Sequence, residues 1–91
     1  VDAVVAEILL REGVRLESPW ERTTVASAPV VMSDGVAVIS SLDLDDDVVA
    51  AALELETRVL VFLEDGFAGS DALKANAFTR ARELGIMMKT V

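Results

Sequence analysis

The stretch that decides the fold is LEDGFAGSDALKAN, residues 63–76. It begins at the end of the apolar run RVLVFLE (58–64), which is typical of a strand buried on both faces. Its two glycines favour a tight turn, and Asp71 suits the positive end of a helix dipole. We therefore predict a strand, a turn and a capped helix over 71–84, in that order.

The segments on either side extend this pattern. After the helix, Gly85 is a natural stop, and IMMKTV at 86–91 predicts the last strand. Before the strand at 58–64, aspartates at 43 and 45–47 favour the start of another helix. Because these helices connect successive strands, we expect right-handed crossovers and three parallel strands.

The N-terminal half predicts an antiparallel meander. The pair Asp34–Gly35 lies between two apolar runs, which strongly indicates a hairpin. A strand over 20–26 and a turn at Ser27–Ala28 precede it. A helix over 2–12 opens the chain, and its apolar stripe consists of Val1, Val4, Val5, Ile8 and Leu9.

The predicted fold class is α/β, with elements in the order α-β-β-β-α-β-α-β. An antiparallel meander is followed by a parallel βαβαβ unit, which gives a small mixed sheet with helices on its faces. The 91 residues fit a single domain, 1–91, and the missing initiator Met leads us to expect a fragment of a longer protein. The residues expected to turn inward from the last helix are Leu73, Ala77, Ala81 and Leu84.

Composition restricts the chemistry. The chain has no cysteine and no histidine, which excludes disulfides, thiolate metal sites and the usual general base. The net charge is −8 and the eight Lys and Arg residues are spread along the chain, so direct nucleic-acid binding is disfavoured. No apolar run approaches the roughly 20 residues that span a bilayer. A chain without cysteine suits a reducing cytosol, and we expect a cytoplasmic location.

The turn after the strand at 58–64 has two interpretations. The carboxyl end of a parallel strand is where open α/β sheets bind ligands, and a helix N-terminus there offers free N–H groups. The acidic residues of this turn would repel an anion, however. Capping by Ser70 or Asp71, a turn at Gly69 and packing of Phe67 explain the same residue types, and we favour this structural interpretation.

A divalent metal is a third possibility, because carboxylates suit Mg²⁺ and several lie near predicted strand ends: Asp34, Asp43, Glu64, Asp65 and Asp71. Their spacing matches no nuclease pattern, so no catalytic, cofactor-binding or metal-binding residue is assigned. A Ser70–Lys74 pair lacks a third orienting group. We predict instead that Lys74 pairs with Glu64 or Asp65 and locks the turn.

The outer face of the last helix is polar. It is either a solvated face or a docking surface, and its members are Lys74, Asn76, Thr79, Arg80, Arg82 and Glu83.

Residues 63–76 and the closing residues 88–91 resemble the C-terminus of the methylation (modification) subunit of type III restriction-modification systems. These subunits are adenine-specific DNA methyltransferases. In that family a strand ending in an acidic residue precedes a turn of the form F-x-G-x-D-x-L-K-x-N, and the protein closes on a Lys- or Arg-Thr-Val-like triplet. The matching residues are Phe67, Gly69, Asp71, Leu73, Lys74 and Asn76, then Lys89, Thr90 and Val91.

The resemblance implies a non-catalytic structural or interaction domain. The family's D-P-P-Y-type catalytic motif and F-x-G-x-G-type cofactor motif do not occur in this sequence. S-adenosylmethionine is therefore expected for the parent enzyme and no cofactor for this fragment. Expected partners are the rest of the methylation subunit, a homodimer partner or the restriction (helicase–nuclease) subunit. The candidate structural or interaction motif is Glu64, Asp65, Phe67, Gly69, Asp71, Lys74 and Asn76.

The alternative is a small regulatory α/β domain. It would bind a small ligand or a divalent metal at the turn after 58–64.

Overall fold

A computed structural model describes residues 3–15 and 17–91. Within these ranges the sheet has five strands in the order β1 to β5, and their bounds are Glu21–Val25, Ala28–Ser33, Val36–Ile39, Val59–Phe62 and Met87–Thr90. Strands β1, β2 and β3 pair antiparallel, whereas β3, β4 and β5 pair parallel. The described residues form three α-helices, which are α1 (Ala3–Arg11), α2 (Asp46–Leu53) and α3 (Asp71–Glu83). The predicted fold class, element order and meander-then-parallel pattern are confirmed.

Two tight turns build the meander. At Asp34–Gly35 both residues have positive φ, 54° and 79°, as predicted for this hairpin. The turn predicted at Ser27–Ala28 is wrong by one residue. It lies at Ala26 and Ser27, whose φ values are 47° and 71°, and Ala28 already pairs with Val25. Neither Ala nor Ser favours positive φ, so the sequence did not mark the exact position of this turn.

The strand predicted over 58–64 is shorter in the structure. It covers Val59–Phe62, and a short 3-10 helix, Glu64–Phe67, follows at once. Glu64 therefore belongs to the turn and not to the strand. The helix predicted over 2–12 covers Ala3–Arg11, while Val1, Asp2 and Leu16 lie outside the described residues.

Strands β3 and β4 form the middle of the core. Every residue of both strands is buried, which confirms that these unbroken apolar runs are covered on both faces. Alternate residues point to opposite sides of a strand, so each strand contributes to two separate clusters.

The first cluster lies on what we call the α2/α3 face. Helices α2 and α3 and the 3-10 helix cover it together. Its largest fully buried side chains are Phe62, Ile39 and Leu60. The ring of Phe67 meets that of Phe62 edge to face, with centroids 5.6 Å apart and planes at 61°.

The second cluster lies on the opposite side, which we call the α1 face. A single described helix of nine residues covers it, through Val5, Ile8 and Leu9. Trp20 and Leu63 pack against its edge and are only partly buried. The two faces of one sheet are therefore covered unequally.

Two residues predicted to face inward do not. Val4 is 59% exposed, because the buried stripe of α1 is centred on Val5, Ile8 and Leu9. Leu84 is 60% exposed and lies at the C-cap of α3, whereas Ala77 and Ala81 are buried as predicted and Leu73 is half-buried.

Candidate functional site

The 3-10 helix positions the first part of the candidate motif. Phe67 turns its ring into the α2/α3 face and is buried. Gly66 is packed so tightly that an added Cβ would lie 2.6 Å from the carbonyl oxygen of Ser41. The carbonyl of Gly66 also accepts a hydrogen bond from the N–H of Leu44 at 3.0 Å. This turn is thus fastened to the segment that leads into α2.

The next residues redirect the chain into α3. Ala68 has φ 49° and Gly69 has φ 77°, so two successive residues lie in the left-handed region. Ser70 is the N-cap, and its hydroxyl accepts a hydrogen bond from the N–H of Leu73 at 3.3 Å. The structure therefore assigns the cap to Ser70, and Asp71 follows in the first turn, where its charge favours the helix dipole.

Lys74 and Glu64 form the ion pair that the sequence predicts. Lys74 Nζ lies 2.6 Å from Glu64 Oε1, and both side chains are partly exposed. The hydrogen bond from Lys74, followed by one from Thr90, holds the pKa of the Glu64 carboxyl below its ordinary value of 4.5. Because Thr90 belongs to β5, this carboxylate connects the turn, α3 and the edge of the sheet.

The structure also shows which groups the side chains of Ser70 and Lys74 bind. The hydroxyl of Ser70 is engaged with its own helix, and the ammonium of Lys74 is engaged with Glu64. Each group therefore has a structural partner.

The remaining motif residues lie at the surface. Asp65, Asp71 and Asn76 are exposed. Asn76 lines an open groove of about 460 Å³ between the starts of α2 and α3, together with Leu44, Asp45, Asp46, Phe67, Ala68, Ser70, Ala72 and Leu73. Asp45 caps α2, since its carboxylate accepts a hydrogen bond from the N–H of Val48 at 2.9 Å.

The acids considered for a metal do not converge. Asp34 lies in the hairpin before β3, at the amino end of the parallel strands, and its carbonyl accepts a hydrogen bond from Arg58. Glu64 and Asp65 lie at the opposite, carboxyl end. In residues 3–15 and 17–91, no three acidic side chains come together as potential metal ligands.

Sequence reasoning missed a second groove, on the α1 face. It has a volume of about 250 Å³ and lies between α1 and the carboxyl ends of β4 and β5. Its apolar lining comes from Val4, Ile8, Leu63 and Val91. Val4 and Val91 are 59% and 53% exposed. The sequence holds no sign of this groove, because it forms only where α1 meets Leu63 and Val91.

Two ion pairs border this groove. Arg11 pairs with Glu7 on α1 at 2.7 Å, and Lys89 of β5 pairs with Glu12 at 2.7 Å. The second pair joins residues 77 positions apart and ties the end of α1 to the edge of the sheet. The charged side chains at the border of the groove are therefore paired within the chain, and the floor of the groove is apolar.

None of the helices in the described ranges is long and apolar enough to cross a membrane. Compared with known proteins, the chain matches no protein-family model and no curated protein.

Proposed function

We propose that this chain is a non-catalytic association domain of a DNA N6-adenine methyltransferase subunit of a type III restriction-modification system. The family assignment is supported by the run from Phe67 to Asn76 and the closing Lys89, Thr90 and Val91. The parent enzyme would be cytoplasmic and would use S-adenosylmethionine. The association role is supported by one observation, the unequal covering of the sheet.

The α1 face presents apolar surface beside its single helix. Val4, Met87 and Val91 are each more than half exposed. Met87 pairs in register with Val59, which belongs to the α1-face cluster, so Met87 points to the same side of the sheet. Apolar residues gathered in this way are typical of surfaces that a protein partner covers.

The candidate motif supports this role indirectly. Phe67 fills the core, Ser70 caps α3, and Lys74 and Glu64 hold the turn. These side chains fix the turn that leads from β4 into α3, the helix that precedes β5. Since β5 forms one border of the α1-face groove, the motif would act by holding the docking surface in shape.

The proposed partners are the rest of the methylation subunit and the restriction subunit. We expect the chain to co-elute with one of these purified partners in size-exclusion chromatography. Val4→Glu should abolish co-elution, because it places a charge in the apolar groove. Leu42→Glu is the matched control, since Leu42 is 65% exposed but lies outside this groove. Co-elution that Val4→Glu leaves unchanged would contradict the α1 face as the docking surface.

A small-ligand site is the second candidate. The groove between the starts of α2 and α3 lies beyond the carboxyl ends of β3 and β4, where open α/β sheets bind ligands. A screen of melting temperature against nucleotides, S-adenosylmethionine and Mg²⁺ tests it. A rise that Asn76→Ala removes would support a ligand in this groove, and no rise with any of these compounds would count against it.

A further inference from the structure

We propose that a groove beside the hairpin between β2 and β3 binds the side chain of an arginine on a protein partner. The groove has a volume of about 240 Å³ and lies at the amino end of β3. The α1-face groove lies at the opposite, carboxyl end of the parallel strands, so this is a separate surface. Binding here does not depend on the family assignment, because it concerns a surface that the proposed function does not use.

Hydrogen bonds fix the walls of this groove. The hydroxyl of Ser33, which is 4% exposed, donates to the carbonyl of Pro19 at 2.9 Å and fastens the segment before β1 to β2. On the other side, the backbone N–H of Arg58 donates to the carbonyl of Gly35 at 2.8 Å. The guanidinium of Arg58 also donates to the carbonyl of Asp34 at 3.1 Å, so the segment before β4 is fastened to the hairpin. Walls that are fixed in this way do not need to be ordered when a partner binds, which favours binding.

The walls are partly apolar and aromatic. Trp20 and Met32 both line the groove and are only partly buried. Each also packs against a core cluster, Trp20 on the α1 face and Met32 on the α2/α3 face. The aliphatic part of an arginine side chain packs on such surface, and its weakly hydrated guanidinium is attracted to an aromatic ring. A lysine ammonium is more strongly hydrated, so the aromatic wall favours arginine.

The rim of the groove is acidic, and its charges are unpaired. Glu21, Asp34 and Glu56 line it and are exposed. Within residues 3–15 and 17–91, none of these three carboxylates forms an ion pair or a side-chain hydrogen bond, and the lining of the groove includes no cation. The α1-face groove differs, because its border carboxylates are paired with Arg11 and Lys89. Three unpaired charges of one sign attract a cation from outside the chain.

Size and spacing decide which cation fits. A groove of about 240 Å³ is smaller than the roughly 300–1,000 Å³ of a site for a drug-sized ligand, so it fits one side chain rather than a nucleotide. In the described part of the chain, no three acidic side chains converge as potential metal ligands. A guanidinium carries five N–H donors in a planar fork, which reaches carboxylates that are too far apart to share one metal ion.

An arginine within a polypeptide fits this groove better than the free amino acid. Free arginine carries an α-carboxylate, which the acidic rim repels, whereas a peptide bond removes that charge. The occupant is therefore an arginine side chain that a protein partner presents.

Nuclear magnetic resonance with short peptides that contain one charged residue tests this site. The isotope-labelled chain is titrated with acetyl-Gly-Arg-Gly-amide, and we expect saturable shifts at the indole N–H of Trp20 and at the amide of Gly35. The same peptide with citrulline in place of arginine lacks the charge and should give no saturable shift. The lysine peptide and free arginine should each bind at least about threefold more weakly than the arginine peptide.

Removing two of the three carboxylates should weaken binding strongly. We expect the double variant Glu21→Gln, Glu56→Gln to raise the dissociation constant of the arginine peptide by at least about tenfold. The matched control is Glu54→Gln with Glu83→Gln, which removes the same charge from exposed residues outside this groove. The control should change the dissociation constant by less than about twofold, because salt screens distant charges. Circular dichroism verifies that both double variants fold.

A change of Trp20 tests the aromatic wall. Trp20→Leu should reduce the preference for the arginine peptide over the lysine peptide, read from the amide of Gly35. An unchanged preference would assign the selectivity to the carboxylates alone and overturn the role of the ring. If Trp20→Leu does not fold, the two double variants still decide whether the groove binds arginine.

The outcomes separate this site from the proposed function. The arginine site is overturned if the arginine peptide does not bind saturably, if the citrulline peptide binds equally, or if both double variants weaken binding equally. Free arginine that binds as tightly as the peptide overturns the protein partner as its source. Val4→Glu should leave peptide binding unchanged, because Val4 lines the α1-face groove. Either surface can therefore fail its test while the other passes.

Discussion

The two faces of the sheet differ in how they are covered. The α2/α3 face lies under two helices that are each connected to the sheet at both ends by the crossovers. The α1 face lies under one described helix of nine residues, which is joined to the sheet at its C-terminal end and through the pair between Lys89 and Glu12. The first face resembles the closed interior of a domain, whereas the second keeps apolar surface at its border. We therefore propose that stability and association lie on opposite sides of one sheet.

The largest expected effect comes from truncating one leucine on each face. Leu60 and Leu9 are both 0% exposed, Leu60 under α2 and α3 and Leu9 in α1. We expect Leu60→Ala to lower the free energy of unfolding by about 3–5 kcal/mol and Leu9→Ala by about 2–3 kcal/mol. The loss at position 9 should be the smaller one, because alanine favours a helix there and because a single helix can shift to close the cavity. Urea titration followed by circular dichroism measures both, and equal losses would remove the distinction between the faces.

Gly66 tests how closely the α2/α3 face is packed. A Cβ at this position would lie 2.6 Å from the Ser41 carbonyl oxygen and 2.8 Å from a methyl group of Leu44. We expect Gly66→Ala to destabilise the fold by about 1–3 kcal/mol through overpacking. Gly69→Ala is the control, because that site has open space and only its positive φ, 77°, opposes a side chain. In thermal unfolding, the control should lower the free energy of unfolding by about 1 kcal/mol. A larger loss of stability at position 69 than at position 66 would argue against tight packing around Gly66.

The helix caps should have a smaller effect. Asp45 caps α2 and Ser70 caps α3, each through one hydrogen bond to a backbone N–H. We expect Asp45→Ala and Ser70→Ala each to cost about 1 kcal/mol. Since both helices lie on the α2/α3 face, neither change should alter partner binding through the α1 face. A loss of co-elution in a variant of unchanged melting temperature would assign the cap residue to an interface instead.

The smallest effect concerns the pair between Lys74 and Glu64. Lys74→Ala should lower the melting temperature by no more than about 3 °C at neutral pH, because the pair is partly exposed. The pKa of Glu64 is lowered in the folded state, so its contribution is present above pH 4.5 and is lost as the pH falls through the folded pKa. The difference between wild type and Lys74→Ala should therefore shrink in acid. A difference that grows below pH 4.5 would contradict this assignment.

Local chemistry explains which parts of the fold could be predicted from the sequence. Asp34–Gly35 marks a hairpin because both residues tolerate positive φ, and the unbroken apolar runs mark β3 and β4. The turn at Ala26 and Ser27 has no such mark, since neither residue type favours positive φ. The sequence therefore predicted β2 correctly but misplaced the turn that leads into it.

Only part of the candidate motif could likewise be predicted from the sequence. Lys74 lies one turn into the helix that begins at Asp71, and Glu64 opens the short turn that leads into this helix, so their pairing follows from short-range geometry. The contact from Thr90 depends on the register of β5 against β4, and the pair between Lys89 and Glu12 depends on how α1 crosses the sheet. The exposure of Val4 and Leu84 shows the same limit, because an apolar pattern indicates which residues avoid water but not whether a covering element is present.

Trp20 gives the unequal sheet an optical consequence. It is the only tryptophan of the chain, which also has no tyrosine, and it packs at the border of the α1-face cluster. Its emission wavelength therefore reports on the solvation of that layer, while far-ultraviolet dichroism reports on the described helices α1, α2 and α3 together. A red shift in fluorescence that precedes the loss of dichroism would show the α1 layer loosening first. The protein thus carries a built-in, label-free probe on the side where we place its partner.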